Sequence, residues 1–69
     1  MTQVLVVDDE KQIRTLIGQI LEMNGHNCTL AANAAEARGS LAEQSYDLIL
    51  CDIDMPGESG LDFIRYAVS

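Results

Sequence analysis

The sequence has few of the features that mark membrane-spanning or nucleic-acid-binding proteins. Only four residues are lysine or arginine, against eleven aspartate and glutamate residues, and the net charge is −7. Because so acidic a chain is repelled by nucleic-acid backbones and anionic lipid headgroups, we expect neither as a direct partner. No apolar run approaches the roughly 20 residues that a membrane-spanning helix requires. The charge balance favours cations or basic protein surfaces as partners.

Cysteine is also scarce. The two cysteines, Cys28 and Cys51, form no CxxC motif or other metal-ligand spacing. Their even number leaves a disulfide open, although reduced thiols are usual inside cells. Cys51 lies in an apolar run and is interpreted as a small buried hydrophobic residue. Since a strand pattern begins at residue 3 with no signal-peptide pattern before it, we expect a cytoplasmic location.

Apolar residues make up 48% of the chain, which is too large a share for a disordered protein. Short apolar runs alternate with stretches in which apolar residues recur every three or four positions. Strands are predicted at 3–7, 26–30 and 46–51, and helices at 10–24, 34–44 and from about residue 60 onwards. This alternation predicts one α/β domain with parallel strands and right-handed crossovers.

Three residues are predicted to set the ends of the first two helices. Asp9 is expected to cap the start of the first helix and Asn33 the start of the second, because short polar side chains accept hydrogen bonds from the first helical N–H groups. Gly25 is expected to end the first helix.

Acidic residues follow two of the predicted strands at the point where each ends. Asp8, Asp9 and Glu10 follow the first strand, and Asp52 follows the third. The carboxyl ends of parallel strands share one edge of a sheet, which is where ligands bind in open α/β folds. Carboxylate oxygens in this number suit Mg²⁺. An Asp-Asp pair after a strand can also be no more than a helix cap with a solvated neighbour.

Three stretches carry a resemblance to a known family. Residues 4–10 join an apolar strand to an acidic pair, residues 33–41 have the polar start and Glu-Ala-x-x-x-Leu body of a second helix, and Asp52-x-x-Met55-Pro56-x-x-x-Gly60 forms a loop motif. On these motifs the chain resembles the N-terminal half of a response-regulator receiver domain. The resemblance implies the (βα)3 half of a doubly wound parallel sheet with strand order 2-1-3.

The resemblance also implies a role for each acidic residue. Asp52 would be the phosphoacceptor, taking a phosphoryl group from a histidine kinase or a phosphotransfer protein. Asp9 would bind Mg²⁺ directly, Asp8 would hold it through water or orient its shell, Asp52 would share it, and the backbone carbonyl of Asp54 would supply a further ligand. A divalent cation is needed because a carboxylate and an anionic phosphoryl group repel each other.

Pro56 and Gly60 would shape the loop after Asp52 and start the third helix. The family pattern continues beyond that helix with two further strands, which end in Ser or Thr and in Lys. The only lysine here is Lys11, and it matches neither position. We therefore expect residues 1–69 to form a truncated receiver domain whose third strand is an exposed edge, prone to self-association.

The sequence is also compatible with two other functions. A truncated receiver that takes no phosphate would act as a dimerisation or binding module, or the chain would be a fragment of a longer regulator. Leu50-Cys51-Asp52-Ile53-Asp54 also resembles the nucleophile motif of haloacid-dehalogenase-type phosphatases, although that motif explains neither Asp8 nor Asp9. We favour a phosphoacceptor over an enzyme.

Overall fold

A computed structural model of the protein describes residues 2–52. It contains a three-stranded sheet in the order β2-β1-β3, built from β1 (Gln3–Val7), β2 (Asn27–Ala31) and β3 (Leu48–Cys51). Both strand pairs are parallel. Two helices connect the strands, α1 (Lys11–Met23) and α2 (Ala34–Glu43). The α/β prediction and the strand order 2-1-3 are confirmed. The predicted third helix, with Asp54, Pro56 and Gly60, lies outside the described residues.

The central strand is the most buried part of the described chain. The four residues Val4 to Val7 are each at most 1% exposed. Their continuous apolar run, without alternation, is typical of a parallel strand covered on both faces and paired on both edges. β1 therefore fixes the positions of both neighbouring strands.

Pairing with β1 sets the ends of the other two strands. β2 runs from Asn27 to Ala31, one residue later than predicted, because its register aligns Ala31 with Val7. β3 begins at Leu48, aligned with Val4, and not at residue 46 as predicted. Just before it, the Asp47 N–H donates to the Gln3 carbonyl over 2.8 Å, and the Asp47 carboxylate accepts from the Gln3 N–H over 2.8 Å.

Successive residues of each strand face opposite sides of the sheet, and each side carries one helix. On the α2 side, alternate residues of β1 pack with the first turns of α2. The buried cluster there comprises Leu5, Val7, Ala31, Ala34 and Ala37, with Leu41, Tyr46, Ile49 and Cys51 packed against it. A compact layer of small and branched side chains therefore joins α2 to the sheet.

On the other side, α1 approaches β2 closely at Gly18. A Cβ atom built on this glycine would lie 3.1 Å from Leu30 Cδ2 and 3.6 Å from Cys28 Sγ. The close approach accounts for a glycine inside a helix, where it is intrinsically unfavourable. The apolar stripe predicted for α1, which comprises Ile13, Leu16, Ile17, Ile20 and Leu21, is only partly covered, since Ile13, Leu16 and Ile20 are exposed.

The predicted cap of α1 is wrong, whereas its predicted end is confirmed. Glu10, not Asp9, occupies the N-cap position, and its side chain makes no capping hydrogen bond. At the other end, Gly25 has a φ of 83°, its N–H donates to the Glu22 carbonyl and the next N–H, that of His26, donates to the Leu21 carbonyl. This is a Schellman motif, which requires the left-handed conformation that glycine adopts readily. No helix within residues 2–52 is long and apolar enough to cross a membrane.

The predicted cap of α2 is confirmed. The Asn33 side chain accepts a hydrogen bond from the Glu36 N–H over 2.9 Å, and the Glu36 carboxylate accepts one from the Ala32 N–H over 2.9 Å. The N–H groups of Ala32 and Glu36, which have no acceptor within the helix, are thus both hydrogen-bonded. The fully buried side chains of α2 are the small ones of Ala34 and Ala37, so we expect the cap to contribute to the stability of this helix.

Removing the Asn33 cap should destabilise the protein measurably. We expect Asn33→Ala to lower the free energy of unfolding by about 1 kcal/mol, because the Glu36 N–H loses its acceptor. Asn33→Asp keeps an acceptor at the same position and is the matched control. Urea unfolding followed by circular dichroism measures both, and equal stability of Asn33→Ala and the wild type would contradict the capping role.

Candidate functional site

Two backbone hydrogen bonds bring the acidic residues to one edge of the sheet. The Asp8 N–H donates to the Ala31 carbonyl over 3.1 Å, and the Asp52 N–H donates to the Val7 carbonyl over 2.9 Å. Each bond extends a strand pair by one residue beyond its last aligned position. Asp8 and Asp52 therefore leave neighbouring strands side by side, at the carboxyl edge of the sheet.

The carboxylates of Asp8, Asp9 and Asp52 form a cluster. One oxygen of each lies within 4.8 Å of those of the other two. Asp9 is exposed, while Asp8 and Asp52 are partly buried. The sequence predicts that these three residues lie together, and the structure brings them together. The other predicted site residues, Asp54, Pro56 and Gly60, lie outside the described residues.

The donor set of this acidic cluster fits a hard divalent cation. All three donors are carboxylate oxygens, the ligand type that Mg²⁺ prefers. Oxygens on opposite sides of an octahedral Mg²⁺ ion lie about 4.2 Å apart, since each bond is about 2.1 Å. The carboxylate oxygens here all lie within 4.8 Å of one another, a bound close to this span, so a direct or water-bridged contact of each carboxylate with the ion would fit.

Asp8 is held in place at three points. Besides its N–H bond to β2, its Oδ1 accepts from the Glu10 N–H over 2.9 Å, and its backbone carbonyl accepts from Arg14 Nη1 over 2.7 Å. One carboxylate oxygen is thereby engaged in the turn to α1. The role of Arg14 is not predicted from the sequence, because a bond to a backbone oxygen leaves no side-chain pattern. The available signal is a cationic residue on α1 six residues after Asp8.

An open cleft of about 450 Å³ adjoins the cluster. Its lining joins acidic residues of the cluster to apolar side chains of β1, α1 and β3, namely Val6, Val7, Asp8, Ile17, Leu50, Cys51 and Asp52. Asp8 and Asp52 of the acidic cluster therefore lie in the wall of this cleft.

Cys51 borders the cluster and senses its charge. Its thiol donates to the Asp52 carbonyl over 3.4 Å. Burial, followed by the negative charges of Asp52 and Asp8, raises the pKa of Cys51. Burial and the charge of Glu22 likewise raise the pKa of Cys28. Both cysteines are free and both are partly buried, so Cys51 is less buried than predicted.

Comparison with known proteins relates this chain to a defined family. The family model of the response regulator receiver domain matches residues 4–67. The chain is 42% identical over 62 residues to the phosphate regulon transcriptional regulatory protein PhoB of Pseudomonas aeruginosa, and 44% identical over 64 residues to the transcriptional regulatory protein ResD of Bacillus subtilis. These alignments cover 90% and 93% of the chain but 27% of each relative, so the chain spans about a quarter of their length.

A solved structure shows the same fold. The response regulator protein TrrA of Thermotoga maritima, in complex with Mg²⁺-BeF, superposes with a TM-score of 0.90 and 41% sequence identity. The superposition covers 96% of this chain and 57% of the TrrA chain.

The reactivity of the two cysteines should report the charges beside them. We expect Asp52→Asn to lower the pKa of Cys51 and so to speed its alkylation by iodoacetamide at pH 8, because more of the thiol is then thiolate. Glu22→Gln should speed the alkylation of Cys28 in the same way, and each variant is the control for the other. Peptide mass spectrometry measures both rates. If either variant accelerates both cysteines equally, the cause is general opening of the fold and the assignment is wrong.

Proposed function

Since this chain belongs to the family of response regulator receiver domains, we propose that it accepts a phosphoryl group on Asp52 from a histidine kinase or a phosphotransfer protein, with Mg²⁺ as the cofactor. One observation carries the proposal: carboxylate oxygens of Asp8, Asp9 and Asp52 gather within 4.8 Å at the carboxyl edge of the sheet. The Mg²⁺ in the TrrA complex supports the choice of ion.

Each residue of the cluster has a distinct part in the proposed transfer. A carboxylate oxygen of Asp52 would attack phosphorus and form an acyl phosphate, while the P–N bond of the donor phosphohistidine breaks and the leaving imidazole nitrogen takes up a proton from water. Asp9, which is exposed, binds the ion directly. Asp8, with one oxygen committed to the Glu10 N–H, holds the ion through water or orients its shell. A bound Mg²⁺ neutralises the repulsion between Asp52 and the incoming anion.

The remaining ligand and loop assignments are part of the same proposal. The Asp54 backbone carbonyl would complete the set of metal ligands, and Pro56 and Gly60 would shape the loop that follows Asp52. Asp52 acts as an acceptor in this scheme, so the chain is a receiver and not an enzyme with its own turnover. Free cysteines accord with a cytoplasmic location.

Self-association through β3 is the second part of the proposal. Within residues 2–52, β3 pairs with β1 alone, which leaves its other edge open. Leu48 is 47% exposed and Leu50 is 36% exposed on the side of the sheet that carries α1. An open strand edge bearing apolar side chains favours pairing with another strand. A closed twofold dimer through β3 would satisfy both the backbone and the leucines.

Phosphoryl transfer is testable without the kinase. Incubation with acetyl phosphate and Mg²⁺ should add one phosphoryl group to the chain, detected by intact-mass spectrometry. Asp52→Asn should abolish the adduct because the amide is not a nucleophile, and omission of Mg²⁺ should do the same. Asp47→Asn is the matched control, because it makes the same charge change at the opposite end of β3.

Circular dichroism of the same samples shows whether each variant is folded. A folded wild-type sample without an adduct would contradict phosphoacceptance. It would favour the alternative of a binding or dimerisation module that takes no phosphate.

Dimerisation through β3 is tested by sedimentation velocity at micromolar concentration. The wild type should sediment as a dimer, and Leu48→Lys should shift it to a monomer because a charge would then lie on the paired edge. Met23→Lys introduces the same charge at a side chain that is 85% exposed at the end of α1, and it should remain dimeric. A folded wild-type monomer would rule out self-association through β3.

A further inference from the structure

Arg14 links α1 to the backbone of the acidic cluster. Its Nη1 donates to the Asp8 carbonyl over 2.7 Å in a partly buried contact that spans the β1–α1 turn. Hydrogen bonds from a charged donor are shorter and stronger than those between neutral groups. Arg14 itself is fixed in the first turn of α1, where its N–H donates to the Glu10 carbonyl over 2.9 Å. The guanidinium is thus a brace between a helix and a turn.

The atom that Arg14 holds governs the position of Asp9. The Asp8 carbonyl belongs to the peptide unit that joins Asp8 to Asp9, and this unit is planar. Of the other contacts of Asp8, its N–H bond to Ala31 lies before that unit, whereas its Oδ1 bond to the Glu10 N–H reaches across it. The Arg14 bond acts directly on an atom of the plane and so restrains the rotation that leads to Asp9, whose carboxylate is exposed.

We propose that Arg14 is a positioning residue of the cation site: by holding the Asp8 carbonyl, it sets the direction in which Asp9 presents its carboxylate. The inference rests on the proposed binding of Mg²⁺ by the acidic cluster. Arg14 touches neither the ion nor the phosphoryl group in this scheme. It acts through the peptide unit, in the way that outer partners orient metal ligands elsewhere.

If Arg14 acted through its charge alone, its loss would have the opposite effect on Mg²⁺ affinity. A guanidinium near the acidic cluster offsets part of its negative charge and repels an incoming cation. If charge were the main effect, loss of Arg14 would tighten Mg²⁺ binding. If Arg14 only braced the turn, its loss would lower the melting temperature and leave Mg²⁺ affinity unchanged. Positioning predicts weaker Mg²⁺ binding by a chain that is still folded.

Three variants separate these roles. Arg14→Gln removes the charge and shortens the donor side chain. Arg14→Lys keeps the charge but loses the planar guanidinium group. Lys11→Gln removes the same charge from an exposed residue of α1. Isothermal titration calorimetry with Mg²⁺ gives the dissociation constant of each. Thermal unfolding in EDTA gives the stability of each fold without the ion.

We expect Arg14→Gln to bind Mg²⁺ about tenfold more weakly than the wild type, the lower end of the effect of removing an outer partner of a metal ligand. Arg14→Lys should lie between the two, and Lys11→Gln should bind at least as tightly as the wild type. The melting temperatures of Arg14→Lys and Lys11→Gln in EDTA should match that of the wild type.

Unchanged or tighter Mg²⁺ binding by Arg14→Gln, or wild-type affinity in Arg14→Lys, would overturn the positioning role and leave the proposed function standing. If Arg14→Gln does not fold, Arg14→Lys decides alone. A folded wild type that binds no Mg²⁺ would overturn the proposed function, and the positioning role with it. The measurements therefore distinguish failure of the positioning role from failure of the proposed function.

Discussion

The pairing of β1 with a strand on each side is the constraint on which the candidate site depends. Val7 aligns with Ala31 on one side and with Cys51 on the other. The next N–H of β1, that of Asp8, bonds to Ala31, and the next N–H of β3, that of Asp52, bonds to β1. Because these bonds continue the sheet, a slip of one residue in either pair would turn every side chain of the shifted strand to the other face. The packing of Ala31, Ile49 and Cys51 in the α2 layer opposes such a slip, and the cluster inherits its geometry from the core.

That geometry brings like charges together at a cost. Three carboxylates lie within 4.8 Å of one another, and their repulsion opposes the fold unless a cation or hydrogen-bond donors offset it. The chain supplies donors from its own backbone, with the Glu10 N–H on the Asp8 carboxylate. It also supplies the Arg14 guanidinium, which donates to the Asp8 backbone carbonyl and not to the carboxylate itself. The chain fixes Asp8 before any ion arrives, which lowers the cost of ordering the site when an ion binds.

The sequence predicts the fold and the grouping of acidic residues better than it predicts the local contacts. The apolar run of β1 and the positions of Asp8, Asp9 and Asp52 at strand ends are direct consequences of burial and chain direction, so pattern alone finds them. Gly25 and Asn33 were predictable too, because each residue type suits one backbone position. The prediction that Asp9 caps α1 was wrong, since Asp8 directs its own carboxylate to the Glu10 N–H and the helix begins one residue later than expected.

The two sides of β3 have different consequences for the site. Ile49 and Cys51 pack against the α2 layer, so one side of this strand is fixed by the core. Leu48 and Leu50 face the α1 side and are exposed, and Leu50 also lines the cleft beside Asp52. A partner that pairs with the open edge of β3 would therefore narrow the cleft next to the acidic cluster. Such a partner would exclude water from one wall of the cleft, where charge interactions then strengthen. In the proposed scheme, association through β3 would therefore affect cation binding at the acidic cluster.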